Sequence, residues 1–301
     1  MWSHAPLEHE VCSSKEQAVD WCQRNGLLVE SVHCSQHRTS FRFYINRGPF
    51  GVFRCPSHKS HSGRTASRSA ACGTWWEDLH VPLVSAIRLA FAWARDLSYD
   101  EAQLEASVSR MTVAEAYSRL REVVVASFLE EQEKRGMIGG PGQVVQIDEA
   151  KFGDRKYHVG RIIDGHWLLG MIEDGSEDIR FVICPNNCQS ASALTPIIKR
   201  HVAAGSEIHT DGWKAYRGLR NEGYVHYWVN HKENFVSPWG IHTQRIEASW
   251  RPLRVFFRDR RVPHEDFADC VVEYQWRRWC KKQHIDPFDS LLERIKKVCP
   301  V

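Results

Sequence analysis

Three acidic residues in the second half of the chain lie where their side chains can meet. Asp148 ends the apolar run of residues 144–147, Asp211 ends the run of residues 208–210, and Glu247 comes early in a helical pattern. Because carboxylates gathered in one place repel each other, their natural partners are hard divalent cations. Two such cations about 4 Å apart clamp the attacking and the leaving oxygen of a phosphodiester.

Each of these acids also has an ordinary explanation when it is taken alone. An Asp before a Gly at a strand end, as at Asp211, commonly forms a turn. A Glu on a helix, as at Glu247, is usually a surface residue. The order and spacing favour the chemical interpretation, since 35 residues separate Asp211 from Glu247. Glu149 adjoins Asp148, but side chains alternate along a strand, so we predict that Glu149 faces away from the site.

Two Cys-x-x-His units flank a predicted β-hairpin formed by residues 41–45 and 52–54. The chain has ten Cys residues, which in an intracellular protein indicate free thiols or metal ligands rather than disulfides. The two units supply four ligands for a tetrahedral structural zinc ion, namely Cys34, His37, Cys55 and His58. The alternative is unpaired Cys and His side chains in a loop-rich module. Substitutes for a misassigned ligand are Cys12, Cys22, His33 and Cys72, whereas Cys184 and Cys188 are predicted to be structural.

The elements that must position the acids follow a linker of glycine and proline at residues 139–142. Beyond it, apolar runs predict strands at residues 144–147, 157–163, 167–172, 179–183 and 207–210. Helical patterns cover residues 194–202, 213–219 and the chain from 245 onward. Strands first, followed by alternating helix and strand, predict an α/β fold with a mixed sheet flanked by helices.

A helical module precedes the linker, at residues 79–135. Capping-box patterns begin its second helix at Ser98 and its third helix at Thr112. Three helices with a short connection at residues 107–112 resemble a helix-turn-helix unit for binding DNA. The alternative is a plain helical bundle.

The composition is typical of a globular protein with several modules: 301 residues, of which 43% are hydrophobic and 26% are charged. No run approaches 18 apolar residues and the first residues lack a signal-peptide pattern, so we expect a soluble intracellular protein without membrane contact. The net charge of +3 is too small to indicate a polyanionic partner. Clustered basic residues suit DNA phosphates, although a solvated helix face is the alternative: Arg251, Arg254, Arg258, Arg260, Arg261, Arg277, Arg278, Lys281 and Lys282.

Four ordered blocks of residues together resemble the DDE transposases and retroviral integrases, and most closely the Merlin-type transposases and the related bacterial insertion-sequence transposases. The blocks are residues 145–161, residues 205–216, residues 229–231, and residues 242–254 with Trp250 and Arg254. One departure is Gln244, where the family usually has Asn after His-Thr. The resemblance covers residues 140–260 well and the N-terminal part loosely.

The resemblance implies a ribonuclease H-like catalytic domain in which Asp148, Asp211 and Glu247 bind two Mg²⁺ or Mn²⁺ ions. It implies cutting of transposon ends and joining of the ends to target DNA. The implied partners are terminal inverted repeats, target DNA and a second copy of the chain, in the nucleus if the host is eukaryotic and otherwise in the cytoplasm. The implied DNA contacts, together with those of the basic cluster, are Lys156, Arg161, His231, His242, Gln244, Arg251, Arg254 and Arg258.

The predicted modules are a zinc-ribbon-like module at residues 1–76, a helix-turn-helix-like module at 77–136, a linker at 137–143, the catalytic domain at 144–285 and a helical tail at 286–301. Two alternatives to transposition stay open at this point. One is a nuclease of the same fold without strand transfer. The other is a domesticated DNA-binding protein whose acidic triad is unused.

Overall fold

The computed structural model describes residues 2–61, 66–153, 165–176, 178–229, 241–258, 260 and 262–301. It divides into two compact units, the first formed by residues 1–127 and 280–301 and the second by residues 128–279. The module boundaries from the sequence stay predictions. The predicted strand at residues 157–163 lies outside the described residues, as do Lys156, Arg161, His231 and Arg261.

The first unit contains two small sheets. One is the antiparallel pair β1 (His33–Cys34) and β2 (Thr39–Ser40). The other is antiparallel and has three strands, β3 (Arg42–Tyr44), β4 (Val52–Arg54) and β5 (Ser67–Ser69). The hairpin predicted at residues 41–45 and 52–54 is therefore confirmed.

Helices form the rest of the first unit: α1 (His4–Glu10), α2 (Lys15–Arg24), α3 (Leu83–Ala94), α4 (Tyr99–Ala106) and α9 (Pro287–Val298). Two further helices, α5 (Arg110–Arg135) and α8 (Phe267–Lys282), run across the division between the units. The first unit contains an aromatic cluster formed by Trp2, Trp21, Phe91 and Phe288. Asp286 caps α9 and also accepts a hydrogen bond from Arg95 Nη2 at 2.8 Å.

The predicted capping box of α4 is confirmed, with Ser98 and Glu101 each accepting the other's backbone N–H. The predicted start of α5 at Thr112 is wrong. Ser109 Oγ accepts the Thr112 N–H at 3.1 Å, so the helix begins at Arg110 and Thr112 lies inside its first turn. Both Ser109 and Thr112 are residues that favour a helix N-cap, and the sequence pattern marked the later one. The helix-turn-helix assignment stays a prediction.

The second unit is built on a five-stranded mixed sheet in the order β10-β9-β6-β7-β8. β6, β9 and β10 run parallel, whereas β7 pairs antiparallel with both β6 and β8. The strands are β6 (Val144–Phe152), β7 (His166–Glu173), β8 (Ile179–Ile183), β9 (Glu207–Asp211) and β10 (Val225–Val229).

Helices flank this sheet on both faces, as predicted. Alternate residues of β6 enter two separate cores, since successive side chains of a strand point to opposite faces. Val145 and Ile147 pack with α6 (Ala191–His201) and the 3-10 helix Lys214–Glu222. Ala150 and Phe152 pack with α7 (Gln244–Arg258) and α8. None of the described helices has the length and apolar character required to cross a membrane.

Candidate active site

Asp148 lies on the central strand β6 and faces α7. The Trp250 indole on α7 donates a hydrogen bond from Nε1 to Asp148 Oδ2 at 2.8 Å. Burial, with smaller contributions from the negative charges of Asp211 and Glu247, raises the pKa of Asp148 to about 6, while the Trp250 hydrogen bond opposes the shift. Asp211 and Glu247 therefore lie within electrostatic reach of Asp148.

Asp211 reaches the same level of the sheet because β6 and β9 are parallel. The last recorded pair of their register is Gln146 with His209. Asp148 lies two residues beyond Gln146, and Asp211 lies two residues beyond His209. Asp211 Oδ1 accepts the Trp213 N–H at 3.0 Å, and this turn fixes the carboxylate at the strand end.

Glu247 is exposed in the first turn of α7. Its N–H bonds to the Thr243 carbonyl at 3.0 Å, and the Thr243 hydroxyl donates to Glu247 Oε1. The start of α7 therefore places Glu247 near enough to Asp148 for its charge to raise the pKa of Asp148. These three side chains come from elements that are distant in sequence.

Gln146 anchors the start of α7 on the sheet. Its side chain is fully buried, and Oε1 accepts the backbone N–H groups of Arg245 at 3.0 Å and Ile246 at 3.4 Å. Gln146 Nε2 lies 3.2 Å from His242 Nδ1. The N-terminal amides of a helix have no partner within the helix, and this side chain accepts two of them. It thereby joins the helix of Glu247 to the strand of Asp148.

Gly170 permits the close approach of α7 to the sheet. It is the residue of β7 paired with Asp148. A Cβ at this position would lie 2.8 Å from Ile246 Cδ1 and 2.8 Å from the ring carbons of Trp250. Only a residue without a side chain allows Trp250 to lie on the strand pair and reach Asp148.

Glu149 faces the opposite side of the sheet from Asp148, as predicted from strand alternation. The Tyr216 hydroxyl donates a hydrogen bond to Glu149 Oε2. Burial, with smaller contributions from the charges of Asp148 and Asp211, raises the pKa of Glu149 to about 7, while the Tyr216 hydrogen bond opposes the shift. Glu149 is therefore partly protonated near neutral pH and is held by Tyr216 in the other core.

Truncating the Gln146 side chain tests its anchoring role. Gln146→Ala leaves the amides of Arg245 and Ile246 without their buried acceptor, and we expect the free energy of unfolding to fall by about 2 kcal/mol. Urea unfolding of the full chain measures this change. The control is Gln244→Ala, at the exposed first position of the same helix. Equal losses of stability in the two variants would contradict the anchoring role of Gln146.

The remaining predicted DNA-contacting residues that the structure describes lie around the start and the outer face of α7. Gln244, Arg251, Arg254 and Arg258 are exposed, and His242 is half-buried against Gln146. Arg254 also packs on β6, since its Nη1 donates to the Lys151 carbonyl at 3.1 Å and its guanidinium lies 4.7 Å from the Phe152 ring centre.

A second cluster, in the first unit, has the chemistry of a metal site. One ligand atom from each of Cys34, His37, Cys55 and His61 lies within 4.8 Å of the others. His58, which the sequence pattern predicts as the fourth ligand, is not among them. His58 begins the 3-10 turn His58–Ser60, and the turn carries the chain onward so that His61 rather than His58 reaches the cluster.

The spacing of these four ligand atoms fits one ion. The Cys34 sulfur lies 3.5 Å from His37 Nδ1 and 3.2 Å from His61 Nε2, and the two nitrogens are 3.2 Å apart. The Cys55 sulfur lies 3.6 Å from His37 Nδ1. Tetrahedral zinc bonds of about 2.0–2.3 Å place neighbouring ligand atoms roughly 3.3–3.8 Å apart. The cluster can therefore hold a metal ion of this kind.

Comparison with known proteins finds a family similar to one segment of the chain. Residues 137–259 match the family model of the ISXO2-like transposase domain. This part of the chain is therefore similar to transposase domains of the DDE type. No curated protein matches the sequence.

Solved structures similar to this chain include viral integrases and a transposase. The HTLV-2 integrase catalytic core domain in complex with magnesium has a TM-score of 0.27 at 14% identity, over 45% of this chain and 84% of that one. The catalytic core domain of BIV integrase has a TM-score of 0.31 at 14% identity, over 52% and 97%. The Mos1 strand transfer complex has a TM-score of 0.29 at 14% identity, over 71% and 76%.

Sequence reasoning missed the residues that support the site. Gln146 is a polar residue inside the apolar run of residues 144–147, and this interruption was an available signal. His61 lies only three residues beyond His58, so the sequence alone does not show which of the two histidines is the fourth ligand. Nothing in the local sequence marks Gly170, because its role depends on a helix that begins 74 residues later.

Proposed function

We propose that this chain is a DNA transposase that cuts transposon ends and joins them to target DNA by two-metal-ion phosphoryl transfer at Asp148, Asp211 and Glu247. The observation that supports the proposal is that Asp148, on the central strand, has Asp211 and Glu247 near enough for their charges to raise its pKa, in addition to the larger effect of burial. Mutually repelling acids that a fold holds together need a cation nearby.

The carboxylates fit hard divalent cations such as Mg²⁺ or Mn²⁺. Asp148 and Asp211 each have one oxygen oriented by a fixed donor, the Trp250 indole and the Trp213 amide. The Thr243 hydroxyl orients Glu247 in the same way. When bound, such cations activate the attacking oxygen and neutralise the charge that develops on the phosphate. The chain's own contribution is to orient each of these carboxylates before substrate arrives.

The exposed face of α7 supports DNA binding next to this site. Arg251, Arg254 and Arg258 follow Glu247 at intervals of four, seven and eleven residues, which places all four side chains on one face. The row is about 16 Å long at 1.5 Å per residue. Arginines spaced along such a row suit successive phosphates of a DNA strand that enters the carboxylate site.

The three-stranded sheet of the first unit supports a second contact with the DNA backbone. Arg42 and Arg54 lie directly opposite each other on β3 and β4. Like charges in this position destabilise a sheet unless an anion lies between them. Residues 31–76 also contain seven Lys and Arg residues and no Asp or Glu. We propose that zinc bound by Cys34, His37, Cys55 and His61 holds this sheet in shape.

The named neighbours agree with this proposal. The HTLV-2 core domain was solved with magnesium and in a dimeric form, and the Mos1 structure is a strand transfer complex. We propose that this chain likewise binds magnesium. Transposition handles two DNA ends together, and we therefore propose that the chain acts as a homodimer.

The test is an assay of cutting and joining with DNA that carries the terminal repeats flanking the coding sequence. We expect cleavage that requires Mg²⁺ or Mn²⁺, followed by joining of a donor end with a free 3′-hydroxyl to a target duplex. Cleavage without joining would indicate a nuclease instead. Tight DNA binding with no cleavage in either metal would indicate a domesticated DNA-binding protein. Both of these outcomes would overturn the transposase proposal.

A further inference from the structure

A pocket of about 240 Å³ lies beside Asp211, on the side of β9 that leads to the edge strand β10. Its walls include Asp211, Trp213, Arg217, Arg220 and Trp228. Pockets that enclose drug-sized ligands occupy about 300–1,000 Å³, so this smaller pocket suits a single planar ring system. The described residues that form it belong to one short stretch of the second unit.

The pocket has an exposed aromatic wall. Trp228 is 56% exposed, although an indole is usually buried in a folded protein. It lies against the chain immediately after Asp211, since a Cβ on Gly212 would lie 3.5 Å from Trp228 Cδ1. The exposed indole of Trp228 therefore provides a flat apolar surface beside Asp211, one of the proposed metal ligands.

The pocket also carries positive charge. Arg220 is fixed by hydrogen bonds from Nε and Nη2 to the His226 carbonyl, at 3.1 and 2.9 Å, and its guanidinium lies 5.8 Å from the Trp228 ring centre. Arg217 is exposed at the rim. Among the described residues, no carboxylate forms an ion pair with either arginine, and Asp211 is the only acid in the lining. A flat aromatic surface next to uncompensated cations suits a base together with its phosphate.

On the basis of the DNA-cutting function proposed above, we infer that this pocket binds one unpaired nucleotide of the DNA strand that passes Asp211. The base stacks on Trp228, and Arg217 and Arg220 face the phosphate. Every base can stack on an aromatic side chain, because each base has a π-face. Arginine adds a cation–π contribution. The pocket therefore recognises single-stranded character beside the cut and not a particular sequence.

The test compares two DNA probes by fluorescence anisotropy without divalent metal, using the full chain. One probe is a blunt duplex, and the other is the same duplex with a short single-stranded extension. We expect wild type to prefer the extended probe and Trp228→Ala to bind it roughly ten-fold more weakly, with no change for the blunt duplex. Trp228→Phe retains a stacking surface and should keep most of the preference. The matched control is Tyr227→Ala, on the same strand and outside the pocket.

Equal binding of the extended probe by wild type and Trp228→Ala would overturn the inference. So would an equal loss on both probes, which would indicate a general DNA contact, and so would the same loss in Tyr227→Ala. Glu247→Gln separates this inference from the proposed function, because it should lose cleavage and keep the preference for the extended probe. The binding preference can therefore be interpreted even if the cleavage assay fails.

Discussion

Asp148→Asn should lower the rate of metal-dependent DNA cleavage by roughly 1,000-fold, equivalent to about 4 kcal/mol of lost transition-state stabilisation. The amide keeps the shape of the side chain and can keep the contact with Trp250. It removes the negative charge that a divalent cation requires. The measurement is a single-turnover cleavage rate of wild type and variant at saturating Mn²⁺.

Glu149→Gln is the matched control for this experiment. Glu149 is the next residue of the same strand, it is also an acid, and it faces Tyr216 on the opposite side of the sheet. Its pKa of about 7 means that the neutral form is already populated near neutral pH, so the Gln variant should cut DNA at nearly the wild-type rate. Unchanged cleavage in Asp148→Asn, or a greater loss in Glu149→Gln, would show that the carboxylates have been assigned to the wrong face.

Cys55→Ser should remove bound zinc and unfold the small sheets of the first unit. The strands concerned have only two or three residues each, too few to be stable without another source of free energy. Structural zinc provides about 10–16 kcal/mol of binding free energy in comparable small folds. The measurements are the zinc content of the purified full chain and limited proteolysis, with new cleavage expected between Cys34 and Ser69.

His58→Ala and His61→Ala form a matched pair for the same site. Both residues are histidines in one loop, and only His61 lies in the ligand cluster. We expect His61→Ala to lose zinc and His58→Ala to retain it. The reverse result would restore the ligand set that the Cys-x-x-His pattern predicts. Zinc-free wild-type protein with intact small sheets would rule out a structural metal altogether.

Two members of the acidic triad sit at recognisable ends of elements, whereas Asp148, predicted to end its strand, lies inside β6, which continues to Phe152. Asp148 continues an apolar strand, Asp211 ends another and precedes Gly212, and Glu247 lies in the first turn of a helix. Parallel pairing of β6 with β9 then brings the two aspartates to one level. The mixed sheet could also be predicted, because strands come first along the chain and then alternate with helices.

The supporting contacts could not be predicted because they depend on how distant segments pack. Gln146 acts as a cap only once α7 has docked on β6, about 100 residues later in the chain. The choice between His58 and His61 depends on a single 3-10 turn, and periodicity carries no signal for it. Likewise, the start of α5 depended on which of two capping residues, Ser109 or Thr112, formed the hydrogen bond.

The absence of a side chain at Gly170 gives a criterion for sorting related sequences. The residue that pairs with Asp148 must stay without a Cβ for Trp250 and Ile246 to keep their places. A relative with all three acids but with alanine or a larger residue at this position must move its helix outward. Its glutamate would then separate from its aspartates. Such a relative would match the acidic signature in a sequence search and still be a degenerate, inactive copy.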